Sequence, residues 1–336
     1  MSPPPASAPA TVNGVREDSS LLIPFAVGHL ANDMGPCALW LIIPAAGVVM
    51  GLSPAEIGLL FAVNSFGSAL AFAPAGILAD RVSNRGRLLA LTFWWVAAGY
   101  VVASFATGFW ALALLLAVAS MGDAAWHPIA TGVLAEQAPS RRAHALGVHA
   151  VGGALAEVLA PLAVGFALAY MDWRWALRLS ILPTMVMGVV FLFYAARVPR
   201  STQGSISRAD LRTLWHGWRR PAGLVLVAVM SLYNMSLVAL LAMTPLLLME
   251  VHGLTPAVTG MAFSGMVLAG AVAQPFVGRL SDVTGRRSVF VVGTLTAAVG
   301  AMVIALATSP VVAIAGMVVT ASVLVAIRSS VLAMAV

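Results

Sequence analysis

The sequence predicts an all-α integral membrane protein built from two related halves, and three observations lead there. Hydrophobic residues make up 61% of the 336 residues and charged residues only 9%, with a mean hydropathy of +0.97; a soluble domain carries about 25% charged residues. Ten apolar stretches are each long enough, at about 20 residues, to cross ~30 Å of hydrocarbon. The run GILADRVSNRGR, Gly76 to Arg87, is echoed by GRLSDVTGRR, Gly278 to Arg287. Placing Gly76 on Gly278 also places Leu78 on Leu280, Asp80 on Asp282 and Arg85 on Arg287, at a shift of 202 residues. Such an internal repeat means that one supersecondary unit has been used twice.

Residues 1 to 19 are rich in Pro, Ala and Ser and are expected to be a disordered cytoplasmic tail. The apolar segment that follows is nearly 30 residues long, too long for the ~7–15-residue core of a cleaved signal peptide. It is expected to remain as the first helix. Spans are expected at 21–49, 55–79, 88–107, 109–137, 143–170, 175–197, 221–249, 255–281, 288–307 and 310–335. They group into a six-helix bundle over 20–197 and four helices over 221–336, joined by a loop at 198–220. The loop is arginine-rich and carries Trp215 and Trp218, which suits a short amphipathic helix lying on the membrane's inner face.

All 18 basic residues are arginines. Fifteen fall on one side of this topology, Arg174 and Arg178 on the other, and Arg328 inside a helix. The positive-inside rule therefore places the N-terminus and the inter-half loop in the cytoplasm, and the inner (plasma) membrane is the expected location. It also makes a nucleic-acid role for the arginines unnecessary; lipid, a small molecule and H+ are the expected partners, and a monomer the expected state. Cys37 is the only cysteine, so a disulfide is excluded and neither a metal centre nor a cofactor is expected.

An ionisable group inside a membrane costs roughly 3 kcal/mol on insertion scales and is a functional candidate by default. His29 and Asp33 on the first helix, and Asp123 and His127 on the fourth, are each four residues apart and so share a helix face. An acid beside an imidazole at membrane depth can hold and pass a proton. The alternative is structural: His29, Asn32 and Asp33 in a fixed network, and His127 capping backbone freed by Pro128. On the fifth helix His149, Gly152, Gly153 and Glu157 precede Pro161. The glycines suit close helix approach, and Glu157 reads either as a third protonatable group or as a histidine's partner. Asn64, Tyr233, Asn234 and Gln274 read as interhelical hydrogen bonds, with Tyr233 and Asn234 also placed to meet substrate. Arg328 reads as a counter-charge to Asp33 or Asp123, as an anion holder, or as a residue that snorkels to the headgroups.

Within the repeated run, Gly76 and Gly278 suit close packing, and a carboxylate beside arginines suits a charge-assisted latch. The set Gly76, Asp80, Arg81, Arg85 and its echo Gly278, Asp282, Gly285, Arg286, Arg287 resembles the gating-loop signature after the second helix of each half in the major facilitator superfamily. Ser83, Asn84 and Val283 depart from it. The resemblance implies two pseudo-symmetric six-helix bundles rocking about a central site, lined by the first and fourth helices. MDWRWAL, Met171 to Leu177, resembles a Trp-Arg-Trp element of the same superfamily, and serves equally as an aromatic belt. More narrowly, GHLANDMGPCALWLIIP, WHPIATGVLAEQAPSRR and VGGALAEVLAPLAVG resemble the fosmidomycin-resistance type of drug exporter. This implies H+-coupled efflux of a small drug-like or anionic compound, by an antiporter whose fifth helix carries Gly152, Gly153 and Pro161. The superfamily has twelve helices and this sequence stops at Val336 after the tenth, so a C-terminally short chain is expected. An importer of a small anion and a non-transporting fragment remain as alternatives. No HExxH, GxSxG or GxxxxGK[ST] pattern occurs, and Phe263-Ser264-Gly265 lacks the glycine of an intramembrane serine protease site, so an enzyme is not expected.

Overall fold

The computed structural model describes residues 11–12, 15–16, 19–200 and 208–333. Most of the expected disordered tail, part of the inter-half loop and the last three residues lie outside the described residues. Thr11–Val12 and Val15–Arg16 pair as a minimal antiparallel ladder. Everything after it is helical: α1 Leu22–Val49, α2 Pro54–Arg81, α3 Arg85–Ala103, α4 Phe109–Gln137, α5 Arg142–Leu168, α6 Trp173–Ser180, α7 Leu182–Tyr194, α8 Arg208–Trp218, α9 Pro221–Leu246, α10 Pro256–Thr284, α11 Arg286–Leu306 and α12 Pro310–Ala333. Ten of the described spans are long and apolar enough to cross a membrane, with α6 and α7 forming one of them. That sixth span is broken at Ile181, where Pro183 lies in the first turn of α7 and cannot donate into the preceding turn.

The helices repeat in the way their turns do. Gly51 and Gly253 both adopt positive φ, at 68° and 63°, a region that an L side chain rarely enters. Each is followed by a helix N-cap, Ser53 for α2 and Thr255 for α10, whose hydroxyls accept from Glu56 N at 3.3 Å and Val258 N at 3.4 Å. Both helices then start on proline, Pro54 and Pro256, at the position where a missing N–H costs nothing. The two turns are therefore copies of one unit, 202 residues apart. Packing follows: α2 and α3 lie on α4, as α10 and α11 lie on α12.

The halves touch at the end carrying these turns. There α5 and α10 cross at Gly165 and Gly260, where an added Cβ would stand 2.7 Å from the Pro256 carbonyl oxygen and 2.7 Å from that of Pro161, respectively. The Ser264 hydroxyl donates to the Val158 carbonyl at 2.7 Å, and Trp40 stacks on Phe61 of its own half and Phe263 of the other. One apolar core accordingly runs through both halves at this end. Toward the arginine-bearing end each half has a core of its own, around Phe25, Phe93 and Phe191 in one and Tyr233, Leu237 and Leu324 in the other. The two halves share one core at the turn end and keep separate cores at the arginine end.

Candidate functional site

Asp123 is the middle residue of α4, and Asp33 lies well inside α1, so both carboxylates sit near mid-membrane depth. Close approach of α5 to α1 puts a third helix beside them. A Cβ on Gly152 would press on the Ala26 carbonyl oxygen, and one on Gly153 would stand 2.6 Å from the His29 ring. The paired glycines thus make the space in which His29 sits.

In that space His29 Nδ1 lies 2.8 Å from the carbonyl oxygen of His149. A carbonyl can only accept, so Nδ1 must be the protonated nitrogen. The other nitrogen, Nε2, faces Asp33 Oδ2 at 3.1 Å. A proton between them rests either on Nε2, giving imidazolium and carboxylate, or on Asp33, giving a neutral pair. Across the helix interface His127 Nε2 lies 3.7 Å from Asp33 Oδ1 and 3.7 Å from Asp123 Oδ1. The buried Asn32 amide donates to Asp33 Oδ1 at 3.2 Å and to Asp123 Oδ1. Both sequence pairs therefore converge into one four-residue cluster, tied by an asparagine. Beneath it the His29 and His149 rings stack at 4.2 Å, and the fully buried Trp126 stacks on His149 at 5.3 Å. Trp126 was not singled out from sequence, where a tryptophan next to His127 reads as packing. His29, Asp33 and His127 each offer a ligand atom within 4.8 Å of the others, a set able to hold a metal ion. The lone cysteine gave no hint of it, because this donor set is oxygen and nitrogen brought together by packing.

Glu157 and Arg328 meet elsewhere. Arg328 Nη1 on α12 lies 4.0 Å from Glu157 Oε1 on α5, and both side chains are about half exposed. Among the described residues Arg328 forms an ion pair with this carboxylate rather than with Asp33 or Asp123, and its contact bridges the halves. Tyr233 and Asn234 do not join the cluster. The Tyr233 hydroxyl donates to the Leu324 carbonyl at 2.6 Å, inside the second half, and Asn234 turns back to the Met230 carbonyl at 2.8 Å. Tyr233 also lines a cavity of about 390 Å³ with Phe290, Thr294 and Thr320.

The repeated arginine run is mostly helix rather than loop. Asp80 and Arg81 are the last residues of α2, Arg85 the first of α3, and only residues 82–84 turn between them. In the second copy the turn is Gly285 alone, at φ 94°. Arg85 does not engage Asp80. Its guanidinium donates through both terminal nitrogens to Glu136 of α4, at 3.0 and 2.7 Å, and through Nε to the Pro199 carbonyl at 3.3 Å. This pair is buried, 2% and 6% exposed by side chain, and Glu136 is a partner the sequence reading missed, since a glutamate near a helix end looks like ordinary surface. A Cβ at Gly76 would meet Pro128 at an ordinary 3.6 Å, so close packing does not require this glycine. Asp80, Gly76, Pro128 and Arg85 instead line a cavity of about 670 Å³ with Trp215 and Trp218 of α8. Gly278 is half-buried and Asp282, Arg286 and Arg287 are exposed. At the opposite end the Trp-Arg-Trp element is a clamp: Arg178 Nε donates to Ser104 Oγ at 2.8 Å, Arg174 donates to the Ala106 carbonyl at 3.1 Å, and both guanidinia lie over aromatic rings.

The profile described as Major Facilitator Superfamily matches residues 20–336. A probable 4-methylmuconolactone transporter of Cupriavidus pinatubonensis is 30% identical over 178 residues, 49% of this chain and 41% of that protein. An MFS-type efflux pump of Mycolicibacterium smegmatis is 26% identical over 260 residues, 73% of this chain and 59% of that one. The chain thus spans about half the length of the curated relatives it matches. Among solved structures, a bacterial homolog of the human lysosomal transporter Spinster, inward-facing and unoccupied, superposes with a TM-score of 0.78 at 19% identity, covering 94% of this chain and 74% of that one.

Proposed function

The chain belongs to the major facilitator superfamily, and from that premise we propose that it is a secondary active transporter that couples H+ entry to export of a small drug-like or anionic compound by alternating access. The single observation that carries this reading is the mid-membrane cluster of His29, Asp33, Asp123 and His127. Its hydrogen bonds fix His29 as an Nδ1 donor, so a proton arriving at Asp33 can pass to Nε2 without rotating the ring. Partial exposure of Asp33 and His127 leaves that proton a way in.

With the arginine end assigned to the cytoplasm, halves that share a core at the turn end and keep separate cores at the arginine end fit an inward-facing state in the inner membrane. Arg328 stands half exposed, paired with Glu157 across the halves, and offers an anionic compound a positive group. The MFS-type efflux pump among the relatives, and the resemblance of the first, fourth and fifth helices to fosmidomycin-resistance exporters, favour the outward direction. A second reading, import of a small organic or inorganic anion, draws on the same arginine. Expression in an efflux-deficient host, with a susceptibility panel and accumulation of labelled compounds, separates them. Raised resistance with lowered accumulation supports export; raised accumulation of anions supports import; neither change, with the protein present in the membrane, overturns both.

A further inference from the structure

We propose that the cluster of His29, His127, Asp33 and Asp123 is also a binding site for a divalent first-row transition-metal ion of the Zn2+ type. The donor atoms already stand at ligand spacing. Two ligands each ~2.1 Å from one ion at a tetrahedral angle are about 3.4 Å apart, and the cluster's nitrogen–oxygen separations are 3.1, 3.7 and 3.7 Å. One atom each from His29, Asp33 and His127 lies within 4.8 Å of the others. Asp123 Oδ1 extends the set through its approach to His127.

The surroundings are those a metal site needs. A ligating histidine donates its other ring nitrogen to a carbonyl or carboxylate, which fixes the tautomer and aims the free lone pair at the ion. His29 does so, with Nδ1 committed to the His149 carbonyl at 2.8 Å and Nε2 facing the cluster. The Asn32 amide donates to Asp33 Oδ1 and Asp123 Oδ1, which orients both carboxylates beside His127 and leaves Asp33 Oδ2 facing His29 Nε2. Charge points the same way. Among the described residues the ion-pair partners of Asp33 and Asp123 are imidazoles alone, so two partly buried carboxylates face no arginine, and a doubly charged cation would balance both in their ionised form. Two imidazoles beside two carboxylates favour Zn2+, Co2+ or Ni2+ over Ca2+ and Mg2+, which take all-oxygen shells of six or more. With the four side chains 13–26% exposed, the ion has a way in.

The inference shares residues with the proton reading but is a statement about binding, so it is tested without transport. The full chain, purified in detergent and stripped with chelator, is titrated with Zn2+ by calorimetry and with Co2+ by visible absorption. One ion per chain is expected. Asp33→Asn and His127→Gln should remove binding, Asn32→Ala should weaken it about 10–100-fold, and Glu157→Gln should leave it unchanged. The thermal midpoint of each metal-free variant reports folding, and Zn2+ should raise that of the wild type but not of Asp33→Asn. Wild-type protein that binds no stoichiometric ion, or Asp33→Asn and His127→Gln variants that bind as the wild type does, would overturn the site.

Discussion

His29 and Asp33 face each other across 3.1 Å, one helical turn apart on α1, with the second nitrogen of His29 already committed to the His149 carbonyl. The commitment matters because it removes the tautomer choice, leaving Nε2 as the one ring nitrogen that can exchange a proton with Asp33. It exists because α5 presents two glycines where other residues would push the ring away.

Those glycines should therefore separate stability from function. Gly152→Ala drives a methyl into the Ala26 backbone carbonyl, and overpacking of this kind costs about 1–3 kcal/mol. Gly153→Ala instead meets the movable His29 ring at 2.6 Å, so it should lower transport more than it lowers the thermal midpoint. Gly76→Ala, facing Pro128 at 3.6 Å, should change neither. Thermal unfolding in detergent beside a transport assay checks all three.

Arg85→Ala leaves the Glu136 carboxylate buried without its partner, which costs about 3–5 kcal/mol. The double variant Arg85→Leu with Glu136→Leu should recover much of that loss, since it removes both charges. Protease resistance and thermal midpoint across the single and double variants give the coupling. Equal stability of Arg85→Ala and wild type would mean that the pair holds nothing.

Asp80 has no ion-pair partner among the described residues and lines the cavity beside Trp215 and Trp218. Asp80→Ala should leave stability unchanged and shift the balance between inward- and outward-open states, because a contact made in one state alone biases only that state. Cysteine accessibility at the two ends, measured after Cys37→Ser, reports the shift. An unchanged labelling pattern would reduce the residue to a marker of the turn.

How much of this was legible beforehand follows from what spacing encodes. Four-residue spacing put His29 with Asp33 and Asp123 with His127 on single helix faces, and both pairs are in contact. It could not say that the two faces meet, since that depends on how α1 and α4 pack. The paired Gly-Leu-Ser/Thr-Pro turns at Gly51 and Gly253 carry the same 202-residue repeat as the arginine run, in residues whose turn role shows only in the positive φ. Charge at Asp80 and Arg81 suggests a loop in water, yet both belong to the last turn of α2. Glu136 was invisible because its partner, Arg85, lies 51 residues away. For Arg328 the sequence leaves a counter-charge to Asp33 or Asp123, an anion holder and a snorkelling residue all open, and its position on α12 opposite α5 pairs it with Glu157.

Arg328→Gln should weaken binding of anionic compounds by about tenfold, or 1.4 kcal/mol, and leave neutral ones alone. Glu157→Gln removes the arginine's competing carboxylate and should tighten anion binding. Equilibrium binding with an anionic and a neutral probe from the same susceptibility panel decides it; equal losses for both probes would assign Arg328 to packing.

The central claim is that the Asp33 cluster carries the coupling proton. Proteoliposomes containing wild-type or Asp33→Asn protein, loaded with a compound identified in the panel, are given an imposed pH gradient and then none. The account predicts that the wild type accumulates the compound only with the gradient, while Asp33→Asn inserts equally, still exchanges compound at equilibrium, and gains nothing from the gradient. Full gradient-driven accumulation by Asp33→Asn would contradict it.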